Sequence, residues 1–411
     1  MTQAWNITDY GAVGDGTSDC TRVIQQAIDG CVAAGGGSVI VPAGLFRCGT
    51  VRLGPGVKLY LSAGAVLKGL DDPAAYNGFM PHGKPSRWHH ALILADGAHD
   101  AGILGPGTID GARVFDPLGE EKQRGPHTVI VANTNRFTLR DVTITDSANY
   151  AVFAWLCDDM DVHNLTVYGG WDAFHIRGTT EQSCRRVTLT GCRFFTGDDC
   201  IAGTHVDDLL VHNCLLNSSC NAIRWIGGGR RMLIDGCYIF GPGRYPHVTQ
   251  SRHNSLIGIT LQPGAWGDIS GDLQDVAISN LTVRNVECAV ACFARRNSRI
   301  GTIEIDRLTA SGITKSACAF EAWGEVPMEA VSLRDVRIDY TGELPVPAEV
   351  EVSEPHVGAR PLPAWGLYAR RVGRLTLRDV VLTRDHRDGR QAVLAEQIGQ
   401  QTADRVHVGE P

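Results

Sequence analysis

The chain repeats one short pattern of apolar and polar positions from residue 137 onward. In each copy, two alternating apolar positions precede a turn-like polar pair and two more apolar positions, as in "FTLRDVTI" and "VAISNLTV". The third residues of the copies form the series Leu139, Val162, Leu189, Val211, Ile234, Ile278, Ile305, Leu333 and Leu377. Most steps in this series are 22 to 28 residues, and each of the two steps of 44 is interpreted as two repeats of 22. A period of about 20–50 residues predicts a solenoid.

The repeat is too short for two helices, and its alternation and its Val, Ile, Leu and Thr content favour strands. A leucine-rich repeat is the competing solenoid, but its LxxLxLxxN signature does not occur in the sequence. We therefore predict an all-β fold, a parallel β-helix with three short strands in each coil. Aliphatic columns fill its interior, and only its ends expose unpaired edges.

Only the N-terminal part of the chain has the period of a helix. In "TSDCTRVIQQAIDGCVAAGG" apolar residues recur every three or four positions, Thr17 or Ser18 is the capping residue and Gly35 is the stop. We predict an N-terminal capping helix within a cap at about residues 1–45, coils at about 46–411, and a single domain over 1–411. Long loops are expected at 72–92, 240–256 and 341–365, and the first two are expected to wall a cleft.

Composition narrows the classes of function. The 411 residues carry a net charge of −7 and no basic block, so we expect no nucleic-acid partner. No apolar run reaches about 18 residues, so we expect no membrane span. The 13 Cys residues form no CxxC pair, which argues against a zinc ribbon or a thioredoxin-type motif. Because no signal peptide is visible, we expect buried, reduced thiols in a cytoplasmic protein. A secreted protein whose signal has been removed is the alternative.

A second strand in each repeat presents a polar and aromatic face. In segments such as "YAVFAW", "DAFHIR" and "NAIRWI", the alternation of side chains directs one apolar column inward and the intervening residues outward. A sugar chain fits such a face, because its rings stack on aromatic side chains while its hydroxyls take hydrogen bonds. An ordinary solvated sheet face is the plainer interpretation of any single residue. The candidate sugar-binding residues are Trp155, His175, Arg177, Asn221, Arg224, Trp225, Gln262, Glu321 and Trp323.

Three carboxylates are predicted to cluster on this face. Asp172 opens the segment "DAFHIR", and Asp198 and Asp199 hold the same place one coil later, about 4.8 Å away. Like charges so close raise the pKa of at least one carboxyl, which supplies the acid and the base that glycosidic hydrolysis needs. Clustered carboxylates can also bind calcium, but the sequence offers too few further ligands for it, so we expect no metal. Asp158–Asp159 and Asp207–Asp208 are expected only to cap local backbone N–H groups.

These segments, together with "NITDYGAVGDGTSDCTRVIQQAIDG" and "FFTGDDCIAG", resemble the polygalacturonase-like glycoside hydrolases of family 28, in the pectate-lyase-like superfamily. The resemblance covers roughly residues 5–285 and implies a right-handed, single-stranded parallel β-helix and inverting hydrolysis. Asp172, Asp198 and Asp199 match the acids of the family motifs. The Gly-His-Gly motif falls on Cys220-Asn221-Ala222 and the Arg-Ile-Lys motif on Thr260-Leu261-Gln262, so the helper His and both cations are missing.

We therefore predict a glycoside hydrolase that acts on an oligosaccharide without any cofactor. A neutral sugar is expected instead of polygalacturonate, because the cations that bind the uronate carboxylate are missing. The alternative is an acidic sugar whose carboxylate is bound by Arg177 or Arg224 from another coil. Asp199 is the first choice for the general acid, while Asp172 and Asp198 activate water on the other face.

The remaining candidates bind the substrate. His175, Arg177, Asn221, Arg224 and Gln262 are expected to position hydroxyls, and Trp155, Trp225 and Trp323 to stack on sugar rings. Other functions stay open on the same scaffold: a glycan lyase, an epimerase, an anhydro-sugar-forming transferase or a non-catalytic carbohydrate-binding protein. The subunit number is also open, with a homo-oligomer as one option.

Overall fold

The computed structural model of the chain describes residues 4–81, 87–264, 269–295, 297–342, 350–355, 358–385 and 388–409. The chain divides into two compact units. We call Met1–Gly178 with Cys184–Thr196 the N-terminal unit, and Thr179–Ser183 with Gly197–Pro411 the C-terminal unit. Residues 82–86 of the first predicted loop, and 343–349 and 356–357 of the third, lie outside the described residues. The single domain over 1–411 stays a prediction. Across the described ranges, no helix has the length and apolar character needed to cross a membrane.

The strands of the N-terminal unit pair into three parallel stacks. The first stack comprises β1 (Ala4–Asn6), β3 (Gly37–Val41), β6 (Val57–Leu61), β10 (Gly102–Leu104), β13 (Asn135–Arg140), β16 (Asp158–His163) and β19 (Cys184–Thr190). The second comprises β2 (Asp15–Asp19), β4 (Gly44–Cys48), β7 (Ala65–Gly69), β11 (Thr108–Asp110), β14 (Thr143–Thr145), β17 (Thr166–Tyr168) and β20 (Arg193–Thr196). The third comprises β5 (Val51–Leu53), β9 (His90–Asp96), β12 (His127–Ala132), β15 (Val152–Trp155) and β18 (Phe174–Arg177), with β8 (Asn77–Gly78) antiparallel to β9.

In-register aliphatic columns form the core of this unit. Leu139 of β13 pairs with Val162 of β16, which pairs with Leu189 of β19, and all three side chains are fully buried. The column continues in the other direction through Ile103 and Leu59. The sequence repeat therefore marks the residues that stack from coil to coil. Because each strand hydrogen-bonds to the next coil, the backbone groups of the coils are paired within the stack.

The one α-helix of the described residues, α1 (Thr21–Ala33), packs its apolar face on the first strands. Ile24, Ala27, Ile28 and Cys31 are buried, and the helix contacts β1, β3, β5 and β6. It ends two residues before Gly35, whose φ of +89° suits a glycine, as the predicted stop requires. A parallel β-helix with an N-terminal capping helix is thereby confirmed.

The predicted start of the helix is wrong. Thr17 and Ser18 lie in β2, where their backbone N–H groups donate to the side chain of Asp15, and the helix instead begins after Cys20. Asp19 accepts from the Thr21 N–H, which satisfies one of the donors of the first turn. The coils also begin earlier than residue 46, because β1 to β4 already pair in parallel within residues 4–48.

The C-terminal unit has longer strands. One stack comprises β22 (Val206–His212), β25 (Gly229–Asp235), β28 (Leu273–Arg284), β30 (Thr302–Ile313), β32 (Met328–Tyr340), β34 (Val372–Arg384) and β36 (Gln400–Val408). The short strands β23 (Leu215–Ser218) and β26 (Tyr238–Phe240) pair with each other, and β26 pairs with the second half of β28. The other stack comprises β21 (Ile201–Thr204), β24 (Asn221–Trp225), β27 (Ile257–Leu261), β29 (Cys288–Ala294), β31 (Cys318–Ala322), β33 (Ala364–Arg370) and β35 (Gln391–Glu396).

The register corrects one feature of the predicted repeat. Ile234 pairs directly with Ile278, and Leu333 pairs directly with Leu377, so each step of 44 residues is one coil and not two. The additional residues lie between β26 and β27 in the first case and, in the second, between β32 and β33, a segment that the structure describes only in part. Spacing along the sequence counts loop residues and coil residues alike, and so it cannot separate one enlarged coil from two short ones.

The two flanking Asp-Asp pairs form ion pairs with the next coil, where only backbone capping had been expected. In the N-terminal unit, Asp158–Asp159 faces Arg185–Arg186, with closest contacts of 2.9 and 2.6 Å. In the C-terminal unit, Asp207–Asp208 faces Arg230–Arg231 at the same two distances. Asp158 pairs in register with Arg185 and Asp207 with Arg230, so the parallel neighbouring strand places an Arg opposite the first acid of each pair.

Candidate active site

Asp198 and Asp199 lie in the turn that leads into β21. The next coil holds this turn, because Ser218 Oγ donates to the Asp198 carbonyl oxygen at 2.6 Å and the Cys200 N–H donates to the Asn221 carbonyl at 3.1 Å. Cys200 is fully buried beside the acids and anchors the chain in the core. As a result the Asp199 side chain is buried, with 4% exposure, whereas Asp198 is half-buried.

The surroundings of Asp199 suit a protonated carboxyl. Burial, and then the neighbouring charge of Asp198, raise the pKa of Asp199 to about 6, against the opposing effects of Arg224 and Asn221. Asn221 donates to Oδ1 twice, from its backbone N at 3.1 Å and from Nδ2 at 2.8 Å, while Arg224 lies 3.7 Å from Oδ2. Because Oδ1 already accepts two N–H groups, the acidic proton belongs on Oδ2.

Polar atoms without partners among the described residues lie on β24, on β27 and just beyond β27. Arg224 pairs in register with Thr260, so the coil that carries Arg224 and the coil of Thr260 and Gln262 are neighbours. Thr260 Oγ1, both amide atoms of Gln262 and Asn221 Oδ1 are buried and have no hydrogen-bond partner among the described residues. A buried polar group without a partner costs about 1–3 kcal/mol, so such a cluster indicates a place where a ligand or ordered water binds.

In the N-terminal unit, Asp172 is the end of a hydrogen-bonded row of side chains. His175 Nδ1 lies 2.8 Å from Asp172 Oδ2, and Arg177 donates to His175 Nε2 at 3.2 Å. Since a guanidinium can only donate, Nε2 is the acceptor and Nδ1 carries the proton that His175 donates to Asp172. Tyr150 stacks on the imidazole, with ring centres 4.5 Å apart. The prediction that His175 positions a sugar hydroxyl is therefore wrong, because both ring nitrogens are engaged and the ring orients Asp172.

Arg177 and Trp155 lie beside a cluster of aromatic side chains. Arg177 lies over the Trp88 ring at 5.0 Å and borders a cavity of about 680 Å³ that Trp88 and Tyr150 also line. Trp155 pairs in register with Arg177 and packs on the core cluster that contains Phe153. Aromatic rings beside a half-buried cation keep both residues as candidates for sugar binding.

Two predicted sugar-binding residues occupy other places. Trp225 is fully buried and its Nε1 donates to the Gly228 carbonyl at 3.0 Å, so it belongs to the core and cannot stack on a sugar. Glu321 is also fully buried, and its carboxylate is held by Arg360 at 2.7 Å and by Trp323 Nε1 at 3.0 Å. Glu321 therefore belongs to a structural ion pair with Arg360. Trp323 is half-buried and borders a cavity of about 780 Å³.

Alignment of the segments "NAIRWI" and "CAFEAW" by their small residue puts Glu321 in the column of Arg224 and Thr260, two residues out of register. That column in fact continues through Ala291 to Ala319, and Glu321 pairs with Phe293. Because side chains alternate with period two, a slip of two residues keeps every side chain on its own face. The apolar pattern therefore gives no warning of it.

Sequence reasoning also missed residues at the site. His247 lies 3.9 Å from Asp198 but is carried by the loop between β26 and β27, which has no repeat register. The only signal was the content of His and Arg in residues 240–256. Trp88 was missed for the same reason, since it lies outside the aligned segments, whereas Tyr150 opens the aligned segment "YAVFAW" but precedes β15 and was not singled out. The clustering of Asp172 with Asp198 and Asp199 stays a prediction of the repeat.

Comparison with known proteins agrees with these features. A profile of "Glycosyl hydrolases family 28" matches residues 81–219, which include Asp172, Asp198 and Asp199. An exopolygalacturonase of Platanus acerifolia is 23% identical over 82% of this chain and 90% of its own length.

Solved structures extend the likeness of fold over nearly the whole chain. The family 28 exopolygalacturonase of Yersinia enterocolitica gives a TM-score of 0.59 at 14% identity, over 100% of this chain and 78% of that one. The surface adhesin PfbA of Streptococcus pneumoniae gives 0.61 at 15% identity, over 98% and 93%. Identities this low show the shared fold alone. The profile match and the sequence relative confirm the predicted resemblance: the chain is a glycoside hydrolase similar to the family 28 polygalacturonases.

Proposed function

We propose that the protein hydrolyses a glycosidic bond in an oligosaccharide of neutral sugars, with Asp199 as the general acid. The observation that carries the proposal is the set of buried hydrogen-bonding atoms of Thr260, Gln262 and Asn221 that have no partner among the described residues, on the coils that follow a buried carboxyl whose pKa is raised to about 6. These atoms are uncharged donors and acceptors, which is what sugar hydroxyls require.

Asp199 has the properties of a general acid. Its carboxyl is protonated below pH about 6, and Asn221 fixes Oδ1 so that the proton on Oδ2 has one orientation. Transfer of this proton to the glycosidic oxygen lets the bond from the anomeric carbon to that oxygen break without formation of an alkoxide. The proton lost by Asp199 is replaced from solvent at the end of the cycle.

Asp198 is proposed to accept the proton of the attacking water, and Asp172 shares this role on the strength of the sequence repeat. The hydroxide equivalent then bonds to the anomeric carbon. We propose inversion, which the family resemblance implies. An oxygen of Asp198 lies within 4.8 Å of one of Asp199, and a spacing this short between acid and base would favour retention. The anomer released first, observed by NMR, decides between the two outcomes.

The preference for a neutral sugar follows from the residues on the coil of β27. A uronate carboxylate placed against Thr260 and Gln262 would meet no cation from these two side chains, and an unpaired buried charge costs several kcal/mol. Arg224 lies on the preceding coil, and it faces Asp199 at 3.7 Å. Neutral hydroxyls instead supply the partners that the Gln262 amide and the Thr260 hydroxyl need.

The test compares polygalacturonate with a panel of neutral oligosaccharides, with products separated by chromatography. We expect hydrolysis of at least one neutral substrate at a kcat/KM at least tenfold above that for polygalacturonate. Gln262→Lys should raise the relative activity on the uronate, while Gln274→Lys, which adds the same charge at an exposed position of β28, should not. Efficient hydrolysis of polygalacturonate by the wild type would contradict the neutral preference, and an unsaturated product would contradict hydrolysis.

A further inference from the structure

The loop between β26 and β27 brings an imidazole against Asp198. His247 Nε2 lies 3.9 Å from Asp198 Oδ1, and the His247 residue is only 7% exposed. The loop is fastened to the preceding coil by side chains: Asn217 Nδ2 donates to the Pro242 carbonyl at 2.9 Å, and Ser219 Oγ donates to the Tyr245 carbonyl. The position of His247 is therefore set by the fold and not by chance contact of a surface loop.

The backbone around His247 fixes which ring nitrogen carries the proton. The Thr249 N–H lies 3.3 Å from His247 Nδ1 and can only donate, so Nδ1 is an acceptor. In the neutral ring the proton must then sit on Nε2, the nitrogen that faces Asp198. A short turn maintains this geometry, since the His247 N–H donates to the Arg252 carbonyl at 2.8 Å and the His247 carbonyl accepts from Ser251 at 2.9 Å.

The same atoms lie near Cys220, which raises the question of a metal. Asp198, Cys220 and His247 each offer one ligand atom, and these atoms lie within 4.8 Å of one another. A His that binds a metal through Nε2 carries its proton on Nδ1 and donates it to an acceptor, whereas here Nδ1 accepts from an N–H. Burial also raises the pKa of the Cys220 thiol well above its usual range. These two features favour proton chemistry over metal binding.

We propose that His247 is a positioning residue for Asp198, with its Nε2–H directed at Oδ1 so that the carboxylate is held in the orientation that accepts a proton from water. The role rests on the proposed function, in which Asp198 activates water. Asn221, at the aligned position of the helper His, instead donates to Asp199. One polar side chain thus supports each member of the acid pair.

Two substitutions of His247 separate this role from a structural one. His247→Gln places an amide N–H where Nε2–H was, and His247→Asn places an amide oxygen where Nδ1 was, so that it accepts from Thr249. If His247 positions Asp198, the Gln variant keeps kcat within about threefold while the Asn variant loses about 10- to 100-fold with KM little changed. The reverse order, or equal activity of both variants, would overturn the proposal.

His253 provides the matched control. It lies in the same loop, is exposed, and donates from Nδ1 to the Gly243 carbonyl at 2.8 Å. The Gln and Asn substitutions at His253 should both leave kcat unchanged. If they reduce it as much as His247→Asn does, loosening of the loop explains the loss and the proposed role of His247 is refuted.

A spectroscopic measurement keeps the test independent of turnover. In the intact protein labelled with ¹⁵N-histidine, NMR correlations identify the nitrogen that carries the ring proton of His247, with His247→Gln used to assign its signal. We expect the proton on Nε2, and a proton on Nδ1 would refute the assignment even if no substrate is found. Absence of hydrolysis across the whole substrate panel would instead refute the proposed function.

Discussion

Two Asp-Asp pairs of the C-terminal unit occupy neighbouring segments of the chain but differ in what faces their carboxylates. Asp207 and Asp208 lie on β22, and each faces an Arg of the next coil at 2.9 Å or less. Asp198 and Asp199 lie in the turn before β21, where Asp199 is buried and Arg224 lies 3.7 Å from it. The same dipeptide thus has an Arg at each acid in one place, and in the other it has a buried acid beside a like charge.

The difference shows what makes an acid pair chemically useful. In the first pair an Arg compensates the charge of each carboxylate, and ion pairs between partly exposed side chains contribute little to stability. Burial and a like charge have the opposite effect and raise the pKa of Asp199 to about 6, within the range where a carboxyl can donate a proton. The fold therefore decides between the two roles by position relative to the core and by the residue opposite each acid.

Asn substitutions at the two pairs should give the largest contrast. Asp199→Asn removes the proposed acid and should lower kcat by about 10²- to 10⁴-fold on an unactivated oligosaccharide. Asp208→Asn breaks the ion pair with Arg231 and should leave kcat unchanged. Steady-state kinetics on the same substrate checks both. Equal activity of the two variants would mean that the surroundings of Asp199 have no catalytic consequence.

A smaller effect is expected from Asn221→Ala, which removes the Nδ2 hydrogen bond to Asp199 but keeps the backbone one. This bond stabilises the ionised form, so its loss raises the pKa of Asp199 above about 6. Activity that needs the protonated acid then persists to higher pH. We expect the basic limb of the kcat/KM profile to move upward, with kcat lowered by about tenfold through misorientation. A shift to lower pH would contradict the assigned hydrogen bond.

The raised pKa of Asp199 should also affect the free energy of unfolding. The folded pKa of Asp199, about 6, lies above the unfolded value of about 3.9, so this group favours folding most below pH 4 and progressively less as pH rises through 6. Asp199→Asn removes that dependence and should raise the free energy of unfolding at pH 8 by on the order of 1 to 3 kcal/mol. Urea unfolding at pH 4 and pH 8 measures it. Asp208→Asn should show no such gain, and a loss of stability in Asp199→Asn at pH 8 would contradict the raised pKa.

The fold could be predicted from the sequence because the repeated apolar positions are buried residues. Leu139, Val162 and Leu189 recur at coil spacing and stack in register. The positions of Asp198 and Asp199 followed from the same register, since they directly precede the buried Cys200 and Ile201. Where the alternation is regular, the pattern is sufficient to place a side chain on its face.

The rest of the site depends on contacts that no pattern encodes. Trp225 lies next to outward residues but turns into the core, where it finds the Gly228 carbonyl. His175 was aligned correctly, yet its role was misassigned, because only the structure shows that Asp172 and Arg177 occupy both ring nitrogens. His247 comes from a loop whose path is set by anchors such as Asn217 and Ser219, far from it in sequence.

The measurement that tests the central claim most directly is the leaving-group dependence of Asp199→Asn. A general acid matters most when the departing oxygen is basic and least when it leaves readily as an aryloxide. Once the sugar is known, the variant should lose at least about 10²-fold on the natural oligosaccharide and less than about tenfold on the dinitrophenyl glycoside of the same sugar. An equal loss on both substrates would contradict the assignment of Asp199 as the acid.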